Sequence, residues 1–158
     1  VPFIAAWAKP DAKNKFQKKY PIAQNAVQLQ QGTVMDLYPT ILSVAHVKPP
    51  KHYALDGADL KKLFQGKEDK KHRDDFLMHF PHGEHRANYF TTYRKGDWKL
   101  IYYYHPETTG IPTWKLYNLK DDPYEKTEVS AEYPEKTASM IEQMKDRLKE
   151  ENALYPEE

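Results

Sequence analysis

The sequence predicts an α+β fold in which a small antiparallel β-sheet packs against a C-terminal α-helix. Four segments rich in aromatic and β-branched residues alternate with turns, and they span residues 76–80, 88–94, 98–104 and 114–119. An amphipathic segment follows at about residues 134–152. Its apolar side chains recur at helical spacing and form one stripe: Ala138, Ile141, Met144 and Leu148.

The centre of the sheet is predicted from a hairpin signal. A Lys-Gly pair at residues 95–96 separates two strand-like segments, and glycine accepts the positive φ that a tight turn requires. Alternation along the segment that follows puts one set of side chains on a single face: Trp98, Leu100, Tyr102 and Tyr104. We expect the Trp98 ring to lie between the sheet and the C-terminal helix.

The first part of the chain is predicted to contain one strand and two helices. Residues 1–7 form a short apolar run typical of a buried strand, and residues 9–33 form a polar surface excursion. Apolar spacing predicts a helix over residues 34–46, in which Pro39 lies early enough to cost little hydrogen bonding. A short helix is expected over residues 58–64.

Two domains are predicted from this change of pattern. Residues 1–66 carry the strand, the excursion and the two helices, and residues 67–158 carry the sheet and the last helix. The mixed-charge stretch at residues 67–75 is the expected joint between them.

Composition excludes several classes of function. The 24 basic and 23 acidic side chains are interspersed and give a net charge of +1, which argues against a nucleic-acid or membrane partner. The absence of cysteine excludes disulfides and thiolate zinc sites. No apolar run approaches the roughly 20 residues that are needed to span a bilayer.

A histidine-rich stretch follows the first predicted sheet strand. His79, His82 and His85 recur at three-residue spacing, with Glu84 between them and Arg86 after them. The residues leave three interpretations open: a metal site, a surface turn, or the lining of a pocket. An anionic ligand favours imidazole and guanidinium donors, so the candidate substrate-binding residues are His79, His82 and Arg86. We expect no metal ligands in the chain.

Three motifs in a fixed order carry a family resemblance. They are Asp-Leu-Tyr-Pro-Thr-Ile-Leu at residues 36–42, Arg-Lys-Gly-Asp-Trp-Lys-Leu-Ile at 94–101 and Leu-Tyr-Asn-Leu-Lys-Asp-Asp-Pro at 116–123. Together they resemble the C-terminal third of type I, formylglycine-dependent sulfatases of the alkaline-phosphatase-like superfamily. Residues 1–4 are similar to the strand that precedes these motifs in that family. The resemblance implies that residues 1–66 complete a large α/β catalytic domain, contributing its last strand and helices.

The resemblance also implies what this chain lacks. The family's nucleophile is a formylglycine made from Cys or Ser in a Cys/Ser-x-Pro-x-Arg motif, and Ser43, Ser130 and Ser139 do not fit that motif. Calcium and formylglycine are therefore implied for the full-length enzyme, upstream of this chain, which has no catalytic residues and binds no cofactor. We expect the chain alone to be inactive and to supply scaffold and substrate contacts.

Partners and alternatives follow from the same resemblance. The implied partners are the remainder of the catalytic domain and a sulfated carbohydrate or other sulfate ester, in a periplasmic, secreted or lysosomal-type location. A phosphonate or phosphodiester hydrolase of the same superfamily remains an alternative, as does a non-catalytic carbohydrate-binding or structural module. A start at Val1, inside a strand-like run, favours an excised or processed chain. We then expect the first 30 or so residues to fray or to make intermolecular contacts.

Overall fold

The computed structural model describes residues 2–82, 89–105 and 110–156. It divides into two compact units, Val1–Arg73 and Asp74–Glu158. Part of the mixed-charge stretch belongs to the first unit, because the Gln30 side chain donates to the Asp69 carbonyl at 2.8 Å and accepts from the Asp69 amide at 2.9 Å. The predicted domain boundary after residue 66 stays a prediction.

The described residues of the first unit form three short α-helices, which we number α1 (Lys15–Lys19), α2 (Leu37–Val44) and α3 (Lys61–Phe64). A 3₁₀ turn at Val34–Asp36 leads directly into α2, so the predicted helix over residues 34–46 is present and ends two residues early. The α1 helix lies within the predicted excursion and was not expected. Its start is capped by the Asn14 side chain, which accepts hydrogen bonds from two backbone amides.

The strand predicted over residues 1–7 is absent from the described residues 2–7, and this prediction is wrong for the chain as it stands. A strand needs a neighbouring strand to pair its backbone, and the described part of this unit contains none. Side chains hold the segment instead. Phe3 stacks on Phe64 with ring centroids 5.8 Å apart, and Trp7 Nε1 donates to the Tyr20 carbonyl at 3.2 Å.

The second unit is an antiparallel meander, which confirms the predicted fold class. Its strands are β1 (Asp75–Phe80), β2 (Phe90–Lys95), β3 (Trp98–Tyr103) and β4 (Trp114–Asn118), paired in that order. The β2–β3 turn contains Gly96 at φ +57°, as the hairpin signal predicted. The last helix, α4 (Pro134–Glu150), packs against the sheet.

The core of this unit lies between α4 and one face of the sheet. Its fully buried side chains come from three strands and the helix: Tyr93, Leu100, Leu116, Met140, Met144 and Leu148. Trp98 and Tyr102 pack against this cluster while remaining partly exposed, which confirms the predicted alternation along β3. The predicted helical stripe is wrong at Ala138, which is exposed. Thr137 and Met140 are buried in its place, while Ile141 is partly buried and Met144 and Leu148 are buried as predicted.

None of the helices in the described part of the chain combines the length and apolar character that a bilayer crossing requires.

Candidate functional site

The position of His79 follows from strand alternation. Leu77, two residues earlier on β1, packs against the core, so His79 points to the same, helix-covered face. The antiparallel register places it directly opposite Thr91 on β2. Thr91 is fully buried, and His79 is partly buried at the end of the sheet where β1 leaves it.

Both ring nitrogens of His79 have partners within the chain. Nδ1 lies 2.7 Å from Thr91 Oγ1, and Nε2 lies 2.7 Å from the main-chain carbonyl oxygen of Leu154. The Thr91 hydroxyl in turn lies 2.7 Å from the hydroxyl of Tyr104. A chain of hydrogen bonds therefore joins the interior of the sheet to the segment that follows α4.

The donor and the acceptor of each of these hydrogen bonds can be assigned by starting from the Leu154 carbonyl. A carbonyl oxygen only accepts, so Nε2 of His79 carries the proton and donates to Leu154. When Nδ1 carries no proton, it accepts from the Thr91 hydroxyl, and the Thr91 oxygen then accepts from the Tyr104 hydroxyl. The Tyr104 oxygen is also 3.3 Å from Nδ1, which is the longer and weaker of the two contacts to that nitrogen.

Tyr104 is a stable donor at the start of this series of hydrogen bonds. Burial raises the pKa of Tyr104 to about 12. The phenol is therefore protonated at physiological pH. Its ring packs edge-on to His79 with centroids 5.9 Å apart, and both rings contact Tyr155 in the C-terminal segment.

The structure separates the candidate residues that the sequence grouped together. His82 is exposed after the end of β1, and its ring packs edge-on against Phe80 at 5.7 Å. Phe80 follows His79 directly, so its side chain lies on the opposite face of the sheet. His79 and His82 have no contact partner in common within the described structure. Arg86, with Glu84 and His85, lies outside the described residues.

The Asp-Leu-Tyr-Pro-Thr motif has a structural role in the first unit. The buried Asp36 carboxylate accepts from the backbone amides of Thr33 at 2.6 Å and Ala58 at 2.8 Å. The Thr40 hydroxyl donates to the Asp36 carbonyl at 2.6 Å and accepts from the Leu60 amide at 2.9 Å. The two polar side chains therefore attach the segment before α3 to the start of α2.

A glycine and a histidine complete this attachment. A Cβ on Gly57 would lie 2.1 Å from the Met35 carbonyl oxygen, so no other residue fits at this close approach. Nε2 of His72 lies 3.7 Å from Asp36 Oδ2, and both side chains are about 95% buried, with 4% and 5% of their surface exposed. These contacts give Asp36 and Thr40, four positions apart, a structural role without assigning them any chemistry.

The described residues do not provide a metal site. No three His, Asp or Glu side chains among them are grouped closely enough to hold an ion. The calcium that the family resemblance implies belongs to the full-length enzyme, outside this chain, and no step of catalysis in this chain is derived through it.

Solved structures share the fold of this chain. The structure of BT4656 in complex with its substrate, D-glucosamine-2-N,6-O-disulfate, is 29% identical with a TM-score of 0.58, and the match covers 72% of this chain and 23% of that one. The phosphonate monoester hydrolase of Agrobacterium radiobacter matches at 23% identity and a TM-score of 0.52, over 70% of this chain and 23% of that one. The second likeness shows the fold alone.

Curated relatives are sulfatases. An uncharacterized sulfatase of Schizosaccharomyces pombe is 33% identical over 138 residues, which cover 78% of this chain and 23% of the relative. A sulfatase of Formosa agariphila is 32% identical over 146 residues, which cover 83% of this chain and 25% of the relative. The chain thus spans about a quarter of the length of these relatives.

The family model described as N-sulphoglucosamine sulphohydrolase, C-terminal, matches residues 10–153. The chain belongs to this family and is a C-terminal sulfatase portion, as the motifs predicted.

Sequence reasoning missed the residues that surround His79. Thr91, Tyr104 and the Leu154 carbonyl lie 12, 25 and 75 positions away from it. Thr91 could have been found by aligning β1 and β2 in a hairpin register. No sequence pattern indicates a contact with the backbone after α4.

Proposed function

We propose that this chain is the C-terminal part of an enzyme that hydrolyses sulfate esters. The observation that carries the proposal is the family match over residues 10–153, which takes in both compact units. In the whole enzyme, a formylglycine outside this chain would supply the nucleophile, and a calcium ion held outside this chain would supply positive charge for the sulfate oxygens. The chain by itself is inactive, because none of its three serines lies in a Ser-x-Pro-x-Arg motif.

The proposed substrate is a sulfated carbohydrate. The name of a human relative, N-acetylgalactosamine-6-sulfatase, is that of an enzyme for a sulfated amino sugar, and this relative is 35% identical over 75 residues, covering 44% of this chain and 14% of the relative. The substrate of BT4656 is a sulfated glucosamine. His82 and Arg86 remain candidate contacts for the anionic group. His79 is assigned a different role, which is to hold the segment after α4 in position, since both of its ring nitrogens have hydrogen-bond partners within the chain.

The proposed partner of the first unit is the remainder of the catalytic domain. Several large apolar side chains of this unit are mostly exposed: Ile4 at 88%, Leu29 at 88%, Val34 at 79% and Ile41 at 63%. Apolar side chains exposed in such number are typical of a surface that is covered by another part of the protein. Residues 1–7, which lack a strand partner here, would pair with a strand of that remainder.

The test uses the enzyme with its upstream portion. An aryl sulfate and an N-sulfated, 6-O-sulfated glucosamine should both be hydrolysed, and replacing the upstream formylglycine precursor by Ala should abolish turnover. Faster turnover of a phosphonate monoester or phosphodiester would favour the alternative hydrolase. The absence of hydrolysis for every ester would favour a non-catalytic module. Turnover of an aryl sulfate by the 158-residue chain alone would contradict its proposed inactivity.

A further inference from the structure

A groove of about 770 Å³ lies in the second unit, between the sheet and the last turns of α4. One side of it is lined by aromatic rings: Tyr102 of β3, Tyr104 just after β3, and Trp114 of β4. Tyr102 and Trp114 stack with centroids 4.2 Å apart, and Tyr104 meets Tyr102 edge-on at 4.6 Å. All three rings are partly exposed, so they present an apolar surface to the groove.

The opposite side of the groove is cationic. Lys145 and Lys149 lie one helical turn apart on α4, and both are exposed. Lys145 pairs with Glu142 at 3.0 Å, but both side chains are more than half exposed, at 55% and 70%, so this pair is easily exchanged for another anion. Among the described residues that line the groove, none is a carboxylate.

The C-terminal segment closes one end of the groove and is held there by His79. Asn152 and Tyr155 line this end, and Tyr155 is 56% exposed. The hydrogen bond from His79 Nε2 to the Leu154 carbonyl fixes the segment, and the ring centroids of Tyr155 and His79 are 6.1 Å apart. The groove therefore does not depend on the C-terminal segment becoming ordered when a ligand arrives.

We propose that this groove binds a sugar residue that carries a sulfate group. The aromatic rings suit the apolar C–H face of a pyranose, Lys145 and Lys149 suit a sulfate, and the Asn152 amide suits a hydroxyl group. Charge complementarity selects this occupant, because the lining described above is cationic and aromatic and contains no carboxylate, and the one acid paired with it, Glu142, is 70% exposed. The inference rests on the proposed function, which supplies sulfated carbohydrate as the substrate class.

Titration of the 158-residue chain with two matched tetrasaccharides tests the proposal. One is built on N-sulfated, 6-O-sulfated glucosamine, and the other is its desulfated, N-acetylated counterpart. Binding is measured by calorimetry and by chemical-shift changes at the groove. We expect the sulfated form to bind more tightly and its affinity to fall as salt is added.

Variants separate the groove from general attraction to a polyanion. Lys145→Ala with Lys149→Ala should weaken binding of the sulfated form by about tenfold or more, since each lysine contributes charged hydrogen bonds. The matched control is Lys120→Ala with Lys126→Ala, which removes the same charge from exposed positions outside the groove. Tyr155→Ala should also weaken binding, whereas Tyr124→Ala, at a position 80% exposed elsewhere, should not.

Three results would overturn the proposal: no measurable binding of the sulfated form, equal binding of both tetrasaccharides, or equal losses in the groove and control variants. Circular dichroism of each variant checks that it is folded. If the groove does not bind the sulfated tetrasaccharide but the enzyme with its upstream portion still hydrolyses sulfate esters, the proposed function stands and only the groove proposal is refuted. Conversely, groove binding without such hydrolysis would refute the enzyme proposal alone.

Discussion

His79 donates from Nε2 to the main-chain carbonyl of Leu154, 75 residues later, at 2.7 Å. This bond joins the end of the first sheet strand to the segment that follows the last helix. Thr91 occupies the other ring nitrogen, so a histidine that the sequence marks as a candidate ligand acts within the chain as an anchor.

His79→Ala should release the C-terminal segment. The change removes two hydrogen bonds and leaves the buried Thr91 hydroxyl with one partner fewer, so we expect the free energy of unfolding to fall by about 1–3 kcal/mol. Amide exchange at residues 153–155 should accelerate. His82→Ala is the matched control, since His82 is exposed and should change neither quantity. Equal effects of the two variants in denaturant melts would contradict the anchoring role.

Thr40→Val should destabilise the first unit by about 1–3 kcal/mol, because the Leu60 amide loses its acceptor in a buried position while the side-chain volume is kept. Thr127→Val offers the same chemical change at an exposed position and should stay within about 0.5 kcal/mol of the parent. Chemical denaturation compares them. If Thr40→Val is as mild as the control, the motif threonine does not hold the segment before α3.

Trp98→Ala should cost about 2–3 kcal/mol, somewhat less than for a fully buried tryptophan, because the Trp98 ring is partly exposed. The ring packs against Tyr133 at 5.0 Å and lies under Lys136 Nζ at 5.7 Å. Tyr124→Ala, at an exposed ring outside the core, is the control for the loss of an aromatic side chain. A loss below about 1 kcal/mol would mean that the helix-covered face of the sheet is assigned wrongly.

Tyr104 should make stability fall at alkaline pH. Burial raises the pKa of Tyr104 from 10.0 to about 12 in the folded chain, so the unfolded state loses its proton first as pH rises. The contribution is fully present below pH 10 and is lost between about pH 10 and 12. Burial also raises the pKa of Tyr20 and of Tyr93, so the informative quantity is the difference between the parent and Tyr104→Phe. Parallel stability profiles for the two across this range would contradict the shift.

The segment before Trp7 should be weakly protected in the isolated chain. Residues 3–6 form no strand pairing and are largely exposed, so their amides should exchange rapidly, or become protected as protein concentration rises. Hydrogen exchange at several concentrations measures this. Strong protection in a monomer, unchanged by concentration, would show that the segment pairs within this chain.

Local pattern was sufficient for most of the second unit. The alternation along β3 and the helical spacing of Met144 and Leu148 indicate which faces are apolar, and Gly96 indicates the turn between two strands. Burial of these apolar faces drives the association of the sheet with α4. The burial of the first turn of α4 could not be predicted in the same way. Thr137 is buried and Ala138 is exposed, because the sheet and the segment before α4 decide which side chains of that turn are covered.

The candidate site was determined by the sequence only as a set of residue types. Histidines after a strand indicate donors for an anion, but the sequence does not specify their partners. Tertiary structure decided that His79 binds Thr91 and Leu154, and that His82 packs on Phe80 at the other face. The groove beside α4 also depends on tertiary structure. Lys145, Lys149, Tyr102 and Trp114 are brought together by packing between distant segments, and hydrophobic packing is not directional enough for sequence spacing to predict it.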